Sequence, residues 1–183
     1  MRVITGLAKG KKLITVEGND VVRPTPEKVK EAIFSSIQFD IEGRRVLDLF
    51  AGCGQLGIEA LSRGAKSAVF VDLSDKSIEV IKKNLENTPF KENAKIQKSD
   101  YAAFAARSSE TFDIAFLDPP YDACFLENAL SLTCNIMSDY GIILCEHPDY
   151  IALPESVKDF KVSKKYKFGK IVVTVYRKEV NAL

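Results

Sequence analysis

Between Val46 and Glu146 the chain alternates short apolar runs with segments of helical pattern, and few architectures accommodate that rhythm. The runs are VLDLF (46–50), SAVFVD (67–72), AKIQ (94–97), FDIAFLD (112–118) and GIILCE (141–146). Helical segments begin near Leu56, Ser74, Tyr101 and Ala123, and the second places Ile78, Ile81 and Leu85 on one face at i, i+3 and i+7. Strands that are apolar throughout have both faces covered, so the pattern predicts a doubly wound, mostly parallel α/β sheet. After Glu146 the rhythm changes. FKVSKKYKF and KIVVTVYRK flank Gly169 and read as an antiparallel hairpin at the sheet edge. Upstream, VIT and KLITV surround the turn LAKGKK and predict a small N-terminal hairpin. A helix follows, with Thr25 as its cap, Pro26 as its first residue, and Val29, Ile33 and Ile37 on one face. The 183 residues are expected to form one domain, residues 1–40 being a hairpin-and-helix extension and residues 41–183 the core.

The first chemical motif begins inside the first run: Asp48-Leu-Phe-Ala-Gly52-Cys53-Gly54-Gln55-Leu56-Gly57. Glycines between a strand and a helix let the backbone approach a ligand at the carboxyl edge of the sheet, where open α/β folds bind them. Asp72 closes the next run, 20 residues past Gly52, and is placed to accept hydrogen bonds from both hydroxyls of a ribose. That spacing alone also admits a nicotinamide dinucleotide. Asp48 argues against it, because a carboxylate there repels a pyrophosphate. It would attract the ammonium and sulfonium of S-adenosylmethionine. Asp100, after the third run, is a candidate acceptor for the adenine amine, with a plain surface-loop acid as the other reading.

The second motif is Asp118-Pro119-Pro120-Tyr121, at the end of the fourth run and on the same edge as the glycine loop. Prolines hold the backbone extended, so the Asp118 carboxylate and a Pro119 carbonyl can point at one NH2 group while the Tyr121 ring stacks on the base that carries it. An exocyclic amine is a poor nucleophile because its lone pair is delocalised into the ring. Two such acceptors would hold it pyramidal and aim the lone pair at a sulfonium methyl, catalysis by positioning and electrostatics. The competing reading is a strand stop followed by a buried tyrosine.

Charge is uneven although the net is only +1. Lys158, Lys161, Lys164, Lys165, Lys167, Lys170, Arg177 and Lys178 share their stretch with Asp159 alone. Arg2, Lys9, Lys11, Lys12 and Arg23 lead the N-terminal segment, whereas Asp100 to Asp149 is acidic. Basic ends on an acidic middle suggest a polyanion-binding face beside a carboxylate site; solvated surface lysines are the alternative. Cys53, Cys124, Cys134 and Cys145 form no CxxC pair, and His147 is the single histidine, so no metal site is expected. Cys145 as a nucleophile of the kind used to methylate pyrimidine carbons is a minor alternative. No stretch reaches the roughly 18 apolar residues of a membrane span, and the N-terminus lacks a signal-peptide core, which leads to a cytoplasmic expectation.

Longer runs narrow the reading. Arg2-Val-Ile-Thr-Gly6, Arg23-Pro-Thr25, Lys28-Val-Lys-Glu-Ala-Ile-Phe34, LDLFAGCGQLGIEALSRGA (47–65) and FLDPPY closely resemble the bacterial 16S rRNA guanine-N2 methyltransferase family, RsmD. The resemblance implies a Rossmann-like class I methyltransferase fold, S-adenosylmethionine as cofactor, and methylation of one guanine N2 in 16S rRNA or the assembling small subunit. It implies cofactor contacts at the glycine loop, Asp72 and Asp100, and catalysis at the DPPY segment. Cys53 stands where the family more often has Ser. The expected cofactor set is Asp48, Phe50, Gly52, Gly54, Gly57, Asp72, Leu73, Asp100 and Tyr101. The expected RNA contacts are Arg2, Lys9, Lys11, Lys12, Arg23, Lys164, Lys165 and Lys167, on a monomer without metal or membrane. An adenine-N6 or protein-glutamine methyltransferase, or a non-catalytic assembly factor, remains open at this point.

Overall fold

The computed structural model describes residues 1–16, 25–119 and 123–179, the side chains of residues 123 and 124 excepted. Arg23, Pro120 and Tyr121, named above as candidates, lie outside the described residues, as does the Cys124 side chain.

The helices are α1 (Glu27–Ser36), α2 (Gln55–Ser62), α3 (Asp75–Glu86), α4 (Tyr101–Arg107) and α5 (Ala123–Cys134). The strands are β1 (Arg45–Leu49), β2 (Ser67–Asp72), β3 (Ala94–Lys98), β4 (Phe112–Leu117), β5 (Met137–Pro148), β6 (Ser156–Val157), β7 (Phe160–Phe168) and β8 (Ile171–Lys178). They form one sheet in the order β3-β2-β1-β4-β5-β8-β7-β6. Pairing is parallel from β3 through β5 and antiparallel beyond it. The expected doubly wound sheet with a C-terminal antiparallel hairpin is therefore the observed fold.

Strand alternation sorts the core into two layers. Val46, Phe116 and Leu144 face α1, α2 and α3, whereas Leu49, Leu117 and Cys145 face α4 and α5. The chain order switches between β1 and β4, so the carboxyl ends of these strands open the crevice where such sheets bind ligands. Because Ile171 of β8 lies opposite Pro148 of β5, the β7–β8 turn at Gly169 projects at this same edge.

One local expectation holds in a shortened form and one is corrected. The N-terminal hairpin is short: Arg2 and Lys12 form an antiparallel bridge, with Val3 N donating to the Lys11 carbonyl at 2.9 Å and Leu13 N to the Met1 carbonyl at 3.0 Å. Side chains hold the neighbouring backbone: Glu59 accepts from the Ile4 and Thr5 amides at 2.7 and 3.0 Å, and Asn84 Oδ1 accepts from Ile14 N at 2.7 Å. The segment covers α2, all of whose residues are buried. Its Lys30–Glu59 contact, 3.5 Å, has both side chains at 0% exposure, and Lys30 Nζ also donates to the Arg2 carbonyl at 2.7 Å. Buried charges persist where partners satisfy them, as here. The correction concerns Thr25. Pro26, not Thr25, occupies the cap position of α1, and no side chain caps that helix. The Thr25 hydroxyl has a tertiary acceptor, Asp118, described next.

Candidate active site

Each strand that reaches the crevice ends on a chemically useful residue. β1 carries Asp48, β2 ends on Asp72, and β4 is followed by Asp118. They surround a cavity of about 410 Å3, a volume within the range of small-molecule sites. Phe50, Gly52, Leu73, Asp100 and Tyr101 also line it, so the expected cofactor residues other than Gly54 and Gly57 are drawn together with Asp118. Those two glycines are not on its wall. Gly57 has another function: a Cβ there would lie 2.3 Å from Phe70 Cε1, so its bare Cα is what lets α2 pack on β2. Its amide donates to Asp48 Oδ2 at 2.8 Å.

The loop geometry follows from the same hydrogen bonds. Phe50 and Ala51 amides both donate to the Val71 carbonyl, at 3.0 and 2.9 Å, which forces a sharp turn. Phe50 takes φ +77°, a conformation that costs a non-glycine residue energy and tends to mark functional turns. Its ring meets Tyr101 and Phe125 at 5.5 and 5.4 Å, and Tyr101 and Phe125 meet edge-on at 4.5 Å. Asp72 is fixed on both oxygens, Oδ2 accepting from Gly52 N and Oδ1 from Ser74 N, each at 2.8 Å. Asp100 Oδ1 caps α4 by accepting from the Ala102 and Ala103 amides, so that helix start holds it in place at the cavity wall.

Electrostatics single out three acids. Asp48 is 2% exposed, and burial pushes its carboxyl up to about 8, with Asp118 and Asp72 adding to the shift. Asp118 accepts from Thr25 Oγ1 at 3.1 Å and is also raised, by burial. Glu146 lies beside it at the end of β5, 4% exposed and raised chiefly by burial and then by Asp118. Asp48, Asp118 and Glu146 thus form a row across β1, β4 and β5, on the sheet face that also carries Val46, Phe116 and Leu144. Glu146, Thr25 and Phe125 were not among the expected site residues. An acid closing the run GIILCE was the visible signal for Glu146; neighbouring of β4 and β5 was not.

Other candidates divide clearly. Pro119 is buried but does not line the cavity. Cys145 is fully buried in the opposite core layer and its thiol is strongly raised by burial, which removes the nucleophile reading. His147 is buried between the Pro148 carbonyl and Thr174 Oγ1, at 2.9 and 2.8 Å, a structural position. The candidate RNA-contacting residues other than Arg23 are exposed. On β7, Lys165 and Lys167 pair with Glu155 and Asp149, and Lys164 lies over the Tyr166 ring at 5.0 Å. Arg2 pairs with Glu27, whereas Lys9, Lys11 and Lys12 make no ion pair among the described residues. The tip that carries Lys9 sits against Ser62, at the end of α2 remote from the glycine loop.

Comparison with known proteins fits this arrangement. Residues 1–177 match the model of the family described as "Conserved hypothetical protein 95". A "Ribosomal RNA small subunit methyltransferase D" of Escherichia coli K12 is 30% identical to the chain, over 98% of it and 90% of the relative. The chain belongs to this RsmD family. A Bacillus subtilis family member described as "Putative rRNA methyltransferase YlbH" is 42% identical over 97% of the chain and 99% of its own length. Among solved RsmD-like structures, the Escherichia coli protein described as "Putative methyltransferase yhhF" superposes with a TM-score of 0.85, at 28% identity, covering 99% of both chains. The class I methyltransferase fold is thus common to the family.

Proposed function

We propose that the protein is an S-adenosylmethionine-dependent methyltransferase acting on the exocyclic N2 amine of a guanine in small-subunit rRNA. The observation that carries this reading is the row of acids at the cavity, with Asp48 and Glu146 buried and Asp118 half-buried. Asp48, Asp118 and Glu146 have no ion-pair partner among the described residues, and burial holds all three above their ordinary range. Buried acids without a cation favour a ligand that brings one. The rest of the cavity suits the remainder of that ligand. Asp72 is oriented for ribose hydroxyls, and Phe50, Tyr101 and Phe125 provide an aromatic wall for adenine. Gln55 Oε1 is buried without a hydrogen-bond partner among the described residues and its side chain lines the cavity, an acceptor available to an ammonium beside Asp48.

When bound, S-adenosylmethionine supplies a methyl group on a sulfonium centre. The chain's own contribution is to place the amine. Asp118, fixed on one oxygen by Thr25, offers its other oxygen to an N2–H. With the cofactor bound, Asp118 would hold the N2 lone pair toward the methyl group that the sulfonium supplies to nitrogen, the sulfur keeping the bonding electrons as leaving group, and would take up the N2 proton. A positive charge and a carboxylate charge disappear together, so the site's net charge is the same before and after. The guanine is expected to enter past the DPPY segment, with the exposed lysines of β7 and the N-terminal residues 1–40 gripping phosphates.

Transfer of a labelled methyl group to total rRNA, DNA and protein, followed by nucleoside digestion, tests the reading. Label is expected in small-subunit rRNA as N2-methylguanosine. Label on adenine N6 or on protein glutamine would refute the substrate assignment. Cofactor binding without any transfer would favour an assembly factor.

A further inference from the structure

Asp118 has a partner on the next strand. It follows the Leu117–Cys145 register pair, so Asp118 and Glu146 stand level at the ends of β4 and β5. Both meet the hydroxyl of Thr25, which is 2% exposed. Thr25 Oγ1 is 3.1 Å from Asp118 Oδ2, and the Glu146 carboxyl contacts the same hydroxyl. The remaining Glu146 oxygen, Oε2, is buried with no hydrogen-bond partner among the described residues.

This geometry restricts where protons can be. A threonine hydroxyl has one hydrogen to give and two lone pairs to receive with. With its hydrogen given to Asp118, Thr25 presents only lone pairs to Glu146. An ionised Glu146 would face those lone pairs and the Asp118 charge together, out of water; a neutral Glu146 donates to Thr25 instead. Two adjacent carboxyls, Glu146 buried and Asp118 half-buried, with no ion-pair partner among the described residues, share one proton. The one turned away from the cavity keeps it, and Asp118, which lines the cavity and receives the Thr25 hydrogen, is the ionised member.

We infer that Glu146 is a positioning residue for methyl transfer: as a neutral acid it donates to Thr25, which donates to Asp118 and leaves the second Asp118 oxygen aimed at the amine. The inference rests on the methyltransferase reading above and adds to it a residue and a protonation state. The charged surroundings agree. Among the described residues, Asp118 acts on Glu146 from the end of β4, Asp48 lies beyond Asp118 on β1, and Asp72 acts on Asp48 from β2, all of them acidic. His147, the next residue of β5, is turned to Thr174 and the Pro148 carbonyl. Burial raises both carboxyls, and the Asp118 charge raises Glu146 further, in keeping with a proton held on Glu146 and lost on the alkaline side.

The test compares the parent with Glu146→Gln, Glu146→Ala and Thr25→Val. Infrared spectra of the cofactor-free protein at pH 7 come first. Glu146→Gln is expected to remove one protonated-carboxyl stretch, while the Asp48 stretch persists. If no such stretch disappears, the inference is overturned whether or not the protein methylates RNA. Single-turnover methylation of small-subunit rRNA follows across pH. Glu146→Ala should slow transfer about 10- to 100-fold, the scale of removing one buried hydrogen bond, with cofactor dissociation constants within about threefold. Glu146→Gln, whose amide N–H donates in place of the acid, should recover most of that rate and lack the parent's decline at alkaline pH. Thr25→Val, which breaks the chain without touching either acid, reports the same slowing should Glu146→Ala fail to fold. A Gln variant as slow as Ala, or one with the parent's alkaline limb, overturns the inference. Disappearance of the infrared stretch in a protein that transfers no methyl group to rRNA would leave the proton arrangement standing and remove the methylation reading.

Discussion

Cofactor binding should be coupled to a proton on Asp48, and the size of the coupling follows from its surroundings. The carboxyl is 2% exposed, one oxygen is tied to the Gly57 amide, and burial pushes it up to about 8. An acid raised this way is neutral below that value, and only its ionised form attracts a sulfonium or an ammonium. At pH 7 about nine-tenths of the molecules carry the proton, and each pH unit below the pKa costs about 1.4 kcal/mol of binding. Affinity for S-adenosylmethionine should therefore fall about 25-fold from pH 7.5 to pH 6, a range that stays below the usual α-amino titration. Calorimetry at pH 7 in buffers of different ionisation enthalpy should show about 0.9 proton released by this group per ligand bound. Asp48→Asn still accepts from Gly57 but cannot ionise, so its contribution to both effects should vanish. If parent and Asn variant release the same number of protons, Asp48 is not the linked group and the buried-acid argument for a cationic ligand fails. The same burial sets a stability trend of opposite benefit. A folded-state pKa above the unfolded value means that stability declines as pH rises from the ordinary carboxylate range toward 8, so cofactor-free Asp48→Asn should melt higher than the parent at pH 7.5.

Gly57→Ala should cost about 1–3 kcal/mol by overpacking, since its Cβ would fall 2.3 Å from a carbon of the fully buried Phe70 ring. An unchanged denaturation midpoint would show that α2 can shift outward. Asp118→Ala should lower single-turnover methylation by about two to four decades while cofactor affinity changes little, the mark of a group that acts in the transition state; transfer at the parent rate would remove Asp118 from the mechanism. Replacing Lys164, Lys165 and Lys167 together with Ala should flatten the salt dependence of RNA binding by roughly 0.7–0.9 for each phosphate no longer neutralised. An unaltered slope would mean that Lys165 and Lys167 serve only their pairs with Glu155 and Asp149.

The core was legible because its strands are buried on both sides. SAVFVD is β2 residue for residue, and the other runs deviate mainly at their ends. Periodicity shows burial, and burial decides those elements. Where a distant polar side chain decides instead, local pattern misleads. VIT and KLITV have strand propensity, yet they pair only around Val3 and Leu13, because the amides of Ile4, Thr5 and Ile14 are claimed by Glu59 and Asn84, more than 50 residues on. Thr25 has the chemistry of a helix cap, and the same hydroxyl chemistry serves Asp118 instead. Asp48, Asp72 and Asp118 could be placed from strand ends alone, since open sheets gather those ends at one edge. Glu146 required the order of the sheet: β5 lies beside β4, a fact of topology that no window of sequence contains.

The attachment of the first 16 residues has a consequence for how this surface can vary. The fold recognises that segment largely through its main chain, at the Glu59 carboxylate, Ser62, Lys30 and Asn84, with Val3, Ala8 and Leu13 as its buried side chains. Gly6 is also constrained, since a Cβ there would lie 1.7 Å from the Ser62 carbonyl oxygen. The other positions have their side chains in solvent or near it, so their identity is almost decoupled from folding. Arg2, Lys9, Lys11 and Lys12 can drift, be gained or be discarded among relatives at little cost to the scaffold. Surface chemistry can therefore change along this segment while the sheet edge that carries Asp48, Asp72 and Asp118 keeps its geometry.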